Sequence, residues 1–299
     1  MYDRIVIAVD SSPEAEHAAR TGIEMAAALG VPVDVINVLS RSILDVLRSK
    51  PDRDAVREER MALLADIEAM ATERGVRATT ALLEGTPSSE IPEFAAENAS
   101  NPLVVLGRQG LSTVSERFLG GVTERVLKRG DTPVLVDPGT ERGSAAEFSS
   151  ILVPTDGSGN AELARSQADE LAGEYAATVH LLSVVDLQRA GGVFDAGGVD
   201  PEFVERLESR AEEAVDAARE HLLATDPNRS VETAVVRTAD FEGVSGAIAA
   251  YVEREGIDLV VMGSHGHSNV TRQLLGSVTS TVLRSIDVPV LIVPRGYAP

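Results

Sequence analysis

The chain has 299 residues, enough for about two domains that each bury a core of their own. With 43% hydrophobic residues and no apolar run near the roughly 18 residues that a bilayer-spanning helix needs, it reads as globular, neither disordered nor membrane-spanning. Cysteine is absent, which excludes disulfides, thiolate catalysis and zinc–thiolate sites, and a formal charge of −20 argues against nucleic acid and anionic membranes as partners.

Met1-Tyr-Asp-Arg-Ile-Val6 runs directly into a strand with no signal-peptide core, so a cytoplasmic protein is expected. Arg4–Val9 is the first predicted strand, followed by Asp10-Ser-Ser-Pro13. Ser12 as N-cap and Pro13 at the next position start an alanine-rich helix with Ile23, Ala26 and Ala27 expected on one face. A second strand, Val33–Val38, precedes a helix whose Val56, Leu63, Ile67 and Met70 form an apolar stripe. A third strand ends at the Gly85-Thr-Pro87 turn. Leu103-Val-Val-Leu106 is the fourth strand, then come a glycine-bearing loop and a short helix, and Val134-Leu-Val136 is the fifth strand.

Asp137–Ala146 is polar, carries Gly and Pro, and has no periodicity, so it marks a domain boundary. The pattern then begins again. Ser150–Thr155 and Asp156-Gly-Ser158 repeat the opening at a shift of 146 residues, and Val179–Val184 repeats the second strand. The next helix carries Val204, Leu207, Ala211, Val215, Ala218 and Leu222 on one face. At the glycine loops the shift becomes 156, because the second copy contains an insertion around Gln188–Asp200. Two readings of that glycine-rich insertion are open: a mobile loop beside a ligand crevice, or a tolerated surface insertion.

Continuously apolar strands alternating with amphipathic helices predict parallel sheets covered on both faces. The expected fold is therefore α/β, with two tandem Rossmann-like doubly wound domains. Each is expected to have a five-stranded parallel sheet in the order 3-2-1-4-5. The expected domains are residues 1–138 and 149–299, joined by a linker at 139–148.

The densest signal is the pattern Gly263, Gly266, Gly276, Ser277: G-x-x-G, nine residues, then G-S, between the run Asp258–Met262 and a helix opening with Val278. The first copy has Gly107, Gly110, Gly120 and Gly121 in the same places. A strand that empties through glycines into a helix N-terminus suits an anion, because N–H groups and the helix dipole face it. In the expected strand order these loops lie across a crevice from Asp10 and Asp156, which end the first strand of each copy. Such a carboxylate suits ribose hydroxyls or a hydrated divalent ion. The competing reading is that the glycines merely make a tight strand exit.

These residues resemble the universal stress protein family, in the form of two UspA-type domains in one chain. The resemblance is carried by Val153-Pro-Thr-Asp-Gly-Ser158, Met262-Gly-Ser-His-Gly-His267, Leu275-Gly-Ser277 and Val288–Val293. In the first copy it is carried by Ala8-Val-Asp-Ser-Ser12, Gly85-Thr-Pro87, Leu106–Gly110 and Leu119-Gly-Gly121. The G-2x-G-9x-G-[ST] signature belongs to the branch that binds ATP. The resemblance assigns Pro154, Asp156 and Val184 to the adenosine of an adenine nucleotide. It assigns Gly263, Gly266, Gly276, Ser277 and Val278 to its phosphates, with Mg²⁺ or a similar cation. In the first copy the corresponding residues are Ala8, Asp10, Val38, Gly107, Gly110, Gly120 and Gly121. There, Gly121 replaces the hydroxyl residue, so the first site is expected to be weaker or empty. In the second copy, the Gly85-x-Pro87 turn has no counterpart around Arg237–Asp240. The resemblance also implies antiparallel pairing of Val134–Val136 with Val290–Val293, an intrachain pseudo-dimer, with further dimerisation and a protein partner left open.

Other polar residues have simpler readings. His265 and His267 flank Gly266 without an evident third metal ligand, and read as polar loop residues. Arg117 and Arg272, inside the nine-residue spacers, are either phosphate contacts or solvated side chains. Ser11, Ser12 and Ser158 read as caps, since no His–Asp set accompanies them. No catalytic residue stands out, so hydrolysis is expected to be slow at most. Three classes of function remain: a nucleotide-binding regulatory protein, a nucleotide-independent interaction module, and an enzyme of the ATP-pyrophosphatase kind. The last ranks lowest because Asp156-Gly-Ser158 is too short a match to the loop such enzymes use. Only two lysines (Lys50 and Lys128), no Trp and 3% aromatics resemble the composition of proteins from salt-loving microbes.

Overall fold

The computed structural model describes residues 1–40, 50–109, 119–140, 148–187, 201–238, 242–266 and 275–298. Short Val/Ile/Leu runs form the strands because a branched side chain on each face packs against covering helices. The first repeat contains β1 (Arg4–Ala8), α1 (Pro13–Leu29), β2 (Val33–Ser40), α2 (Lys50–Glu73) and β3 (Ala78–Gly85). It continues with α3 (Pro87–Asn98), β4 (Pro102–Gly107), α4 (Gly121–Arg129) and β5 (Val134–Asp137). The second contains β6 (Ser150–Pro154), α5 (Gly159–Tyr175), β7 (Thr178–Asp186), α6 (Pro201–Thr225) and β8 (Val231–Thr238). After these come α7 (Gly243–Glu255), β9 (Leu259–Gly263), α8 (Ser277–Ser285) and β10 (Val290–Val293).

These elements form two compact units, Met1–Glu147 with Asp287–Pro299, and Phe148–Ile286. In the first, the parallel strands run β3-β2-β1-β4-β5. β10 closes that unit's sheet antiparallel to β5, with Val136 opposite Val290 and Leu135 opposite Leu291. The pairing expected for the two closing strands is present, and it satisfies backbone groups that β5 would otherwise leave at an open edge. In the second unit the parallel order is β8-β7-β6-β9. The fold is α/β with two Rossmann-like doubly wound repeats, and the central strands β1 and β6 are where the winding reverses.

Ser12 and Ser158 cap α1 and α5 through Oγ, accepting from the N–H of Ala15 at 3.2 Å and Ala161 at 3.3 Å. Ser11 differs from expectation: it caps nothing, and its hydroxyl is bonded to the Arg60 guanidinium. On α1, Ile23 and Ala26 are buried as predicted, with Ala15, Ala18, Ala19 and Met25, but Ala27 lies round the helix from that face and is exposed; the helix ends at Gly30 in a left-handed cap (φ 66°). On α2 the fully buried line is Leu64, Ile67 and Ala71, one position round from the predicted stripe, with Val56, Leu63 and Met70 at its half-buried margin. Helix α6 buries Ala211, Val215, Ala218 and Leu222 as predicted. The insertion 188–200 and most of the linker lie outside the described residues. No described helix is long and apolar enough to cross a membrane.

One buried polar cluster distinguishes the first unit. Asp137, fully buried at the end of β5, accepts from Thr21 Oγ1 at 2.6 Å and from the Gly139 N–H at 2.7 Å, and its Oδ1 lies 2.8 Å from His17 Nδ1. His17 and Thr21 are one turn apart on α1, so a single helix face supplies both partners. The hydrogen bond that His17 donates to Asp137 raises the His17 pKa above 6.5 against the opposing effect of burial; the Asp137 charge and Glu24 add to the rise and Arg20 opposes it. A raised folded pKa means that the pair's contribution is complete below about 6.5, the unfolded value, and fades as pH rises through the folded one. His17→Ala should therefore destabilise the protein by on the order of 2 kcal/mol at pH 6 and measurably less at pH 9. Urea unfolding of both proteins at the two pH values checks this.

Candidate functional site

The site is built where β6 and β9 end side by side. β6 leads into Thr155, whose N–H donates to Leu182 O at 2.8 Å and so prolongs the ladder by one residue. Asp156 then turns back on itself, its Oδ1 accepting from the Ser158 N–H at 3.0 Å. The β6–β7 register pairs Pro154 with Leu182; continued by two residues it brings Asp156 level with Val184. The β1–β2 register has the same stagger, pairing Ala8 with Ile36 and bringing Asp10 level with Val38. Pro154, Val184, Ala8, Val38 and Asp10 are half-buried, whereas Asp156 is exposed. Asp10 Oδ1 accepts from both the N–H and the hydroxyl of Ser12.

Across the crevice, the chain leaves β9 at Gly263 and returns at Gly276. The return point is sewn to the exit by two bonds. Gly276 N donates to Ser264 O at 2.9 Å, and Thr279 Oγ1 donates to Gly263 O at 3.0 Å. The first copy repeats them, with Gly120 N to Arg108 O at 2.8 Å and Thr123 Oγ1 to Gly107 O at 2.9 Å. These threonines escaped the sequence reading. Their signal was present, since Gly276-Ser-Val-Thr279 and Gly120-Gly-Val-Thr123 share a threonine three residues after the glycine.

Helices α8 and α4 begin at Ser277 and Gly121, and their N-caps Gly276 and Gly120 supply no side-chain bond to the first turn. With no cap oxygen from either glycine, these N-termini suit an acceptor from outside the helix. Ser277 is exposed and Val278 half-buried at the α8 terminus. Gly121 is also exposed. A Cβ there would make only an ordinary contact, 3.4 Å, with Nη2 of Arg125, so the first copy presents a guanidinium where the second presents the Ser277 hydroxyl.

The motif glycines act by close approach. Gly107, Gly263, Gly266 and Gly276 are all absent from the positive-φ positions, so left-handed backbone is not their purpose. A Cβ on Gly263 would stand 2.7 Å from Asn160 Cγ, one on Gly107 3.1 Å from the Glu14 carbonyl, and one on Gly276 3.1 Å from Ser264 O. A Cβ on Gly266 would collide with the Asp156 carboxylate, which places Gly266 directly against the turn that follows β6. The structure thus places Gly266 against Asp156 and Gly276 against Ser264, with Ser277 and Val278 opening α8 directly after Gly276, while Pro154 ends β6 and Val184 lies in the neighbouring strand β7. In the first copy Gly107, Gly120 and Gly121 take the corresponding places, while Gly110, Arg117, His267 and Arg272 lie outside the described residues. His265 is buried with Nδ1 2.9 Å from Ser264 Oγ. Among the described residues no group of three or more His, Asp or Glu could hold a metal ion.

The universal stress protein family matches residues 1–138 and 147–294, so the chain belongs to that family, with two tandem copies of its domain. A universal stress protein of Mycobacterium tuberculosis is 28% identical over 307 residues, spanning 96% of both chains. One from Methanocaldococcus jannaschii is 34% identical over 140 residues, 46% of this chain and 82% of that protein. Among solved structures, a universal stress protein from Archaeoglobus fulgidus superposes with a TM-score of 0.74 at 22% identity, covering 98% of this chain and 96% of its own. That likeness is one of fold.

The two kinds of glycine separate experimentally. Gly263→Ala should cost about 1–3 kcal/mol, because its methyl enters the space of Asn160. Gly121→Ala should stay within about 0.5 kcal/mol of the parent. Thermal unfolding of both variants checks the contrast.

Proposed function

We propose that the protein is a stress-response regulator whose second copy binds ATP with a divalent cation. What carries the reading is the meeting of Gly266 with the Asp156 carboxylate beside the uncapped start of α8. A carboxylate suited to ribose hydroxyls and a set of N–H donors suited to phosphates then face one crevice. Pro154, Asp156 and Val184 would hold the adenosine. Gly263, Gly266 and Gly276 would let the phosphates approach the backbone closely, the Gly276 N–H being already given to Ser264 O, and Ser277 and Val278 would hold them through the first-turn N–H groups of α8 and the Ser277 hydroxyl. The cation would arrive with the nucleotide and offset phosphate charge that no lysine in the motif can neutralise. With no general base assigned, turnover is slow at most, and the bound nucleotide acts as a signal.

The first copy is proposed as a weaker site made from Ala8, Asp10, Val38, Gly107, Gly110, Gly120 and Gly121, in which the Arg125 guanidinium stands in for the missing hydroxyl. One observation favours the second reading, a nucleotide-independent interaction module. Gly107, Gly263 and Gly276 are all accounted for by protein atoms packed against them. The pseudo-dimeric pairing of β5 with β10 serves either reading. The acidic composition and scarcity of lysine suit a salt-rich cytoplasm, which sets the assay conditions.

Calorimetric titration of Mg·ATP in molar KCl decides between the readings, since high salt screens exposed repulsion in this chain. Wild type should bind, and Ser277→Ala should bind about three- to tenfold more weakly, the equivalent of one hydrogen bond. Gly276→Val, folded by circular dichroism, should lose the second site. A stoichiometry near two that falls towards one in Arg125→Ala supports the first site. No binding by folded wild type leaves the interaction module.

A further inference from the structure

Asn160, the second residue of α5, is buried and hydrogen-bonded to the start of the glycine loop. Its Oδ1 accepts from the His265 backbone N–H at 3.0 Å and from Ser264 Oγ at 3.3 Å. Its Cγ fills the space that a Cβ on Gly263 would need. One side chain thereby engages three consecutive loop residues, and the next residue, Gly266, is the one lying against Asp156. Ser264 Oγ, 2.9 Å from His265 Nδ1, extends the same network into the imidazole.

The first copy is built differently at this point. Glu14 occupies the equivalent place, and its stem runs against Gly139, with Cγ 2.9 Å from where a Cβ of that glycine would be. Among the described residues no hydrogen bond joins Glu14 to the loop after β4. Arg108 N donates instead to Asp137 O at 2.7 Å. A carboxylate could accept the same two hydrogen bonds as the Asn160 amide oxygen, but it would add a negative charge behind the loop that is proposed to receive an anion. In a chain with 47 acidic residues, a neutral acceptor at this buried position is chemically distinctive.

We propose that Asn160 is a positioning residue for the second cleft: its amide oxygen holds residues 263–265 so that the loop can receive polyphosphate, and its neutrality keeps that cleft open to triphosphate. The proposal rests on the nucleotide reading of the second copy. The side chain is expected to act through the loop and not by touching the nucleotide.

Full-length wild type, Asn160→Ala and Asn160→Asp would be compared in two measurements, amide hydrogen exchange at His265 without nucleotide and titration with Mg·ATP and with adenosine. Asn160→Ala should speed exchange at His265 by at least about fivefold and weaken Mg·ATP by about tenfold, the scale of one or two lost hydrogen bonds. Asn160→Asp keeps the acceptor, so His265 should stay protected and adenosine binding should hold within about twofold, while Mg·ATP weakens by about tenfold through charge repulsion. A merely structural role would not separate triphosphate from adenosine in this way. Unchanged exchange in folded Asn160→Ala overturns the anchoring. Wild-type ATP affinity in either variant overturns the proposal and leaves the nucleotide reading intact. Failure of wild type to bind ATP overturns both, and the exchange data then report only on loop structure.

Discussion

The crevice depends on how closely the last residue of a strand can approach the first turn of a neighbouring helix. Gly263 lies against Asn160, and Gly107 lies against the backbone of Glu14, at separations that leave no room for a Cβ. This approach brings the strand exits of β4 and β9 under the N-termini of α1 and α5. The threonine bonds from Thr123 and Thr279 then return the chain to the same spot. The interior is dense enough that one added methyl group must displace something. Glycine at these positions is accordingly a packing requirement.

Duplication preserved the scaffold and let the lining diverge. Both copies keep the stagger of the central strand pair, the Asp-to-Ser turn, the serine cap and the two bonds that close the glycine loop. They differ in the side chains that face or support the crevice: Glu14 against Asn160, Arg108 against Ser264, and Gly121 beside Arg125 against Ser277. Arg108 is buried and reaches to within 3.8 Å of the Asp287 carboxylate, and Arg60 covers Ser11. At these positions the first copy carries Arg108 and Arg125 within a strongly acidic chain, while the second carries the neutral Ser264 and Ser277. Charge therefore differs between the copies while the strand register is shared.

The first unit carries a second specialisation at the end of β5. Asp137 is buried behind His17 and Thr21, and its backbone carbonyl accepts from Arg108. The same residue thus ties α1, β5 and the exit of β4 together. In the second copy the strand corresponding to β5 ends in Val293-Pro294, which offers no carboxylate, and the exit of β9 is held from the side by Asn160 instead. Two solutions to one mechanical problem stand in the same chain.

Local pattern was enough for much of this. The repeat, the strand sequence, the caps at Ser12 and Ser158 and the buried line of α6 follow from periodicity, capping residues and self-similarity, which are short-range properties of the chain, whereas the pairing of β5 with β10 was implied by the family resemblance. Ala27 on α1 and Val56, Leu63 and Met70 on α2 lie off the fully buried lines to which Ile23, Ala26 and Ile67 belong, because the exact rotation of a helix is set by what it packs against. The purpose of the glycines was also hidden. Sequence shows where Cβ atoms are missing, but only the folded neighbours show that Asn160, Glu14, Ser264 and Asp156 occupy the space. The anchoring role of Asn160 spans 105 residues to His265, and the burial of Asp137 against His17 spans 120. Such contacts carry no local signature, because they arise only when the winding of the sheet brings distant strand ends and helix starts together. The sequence by itself determined the elements, their order and the family; the tertiary structure decided which side chains hold the crevice and how the two copies came to differ.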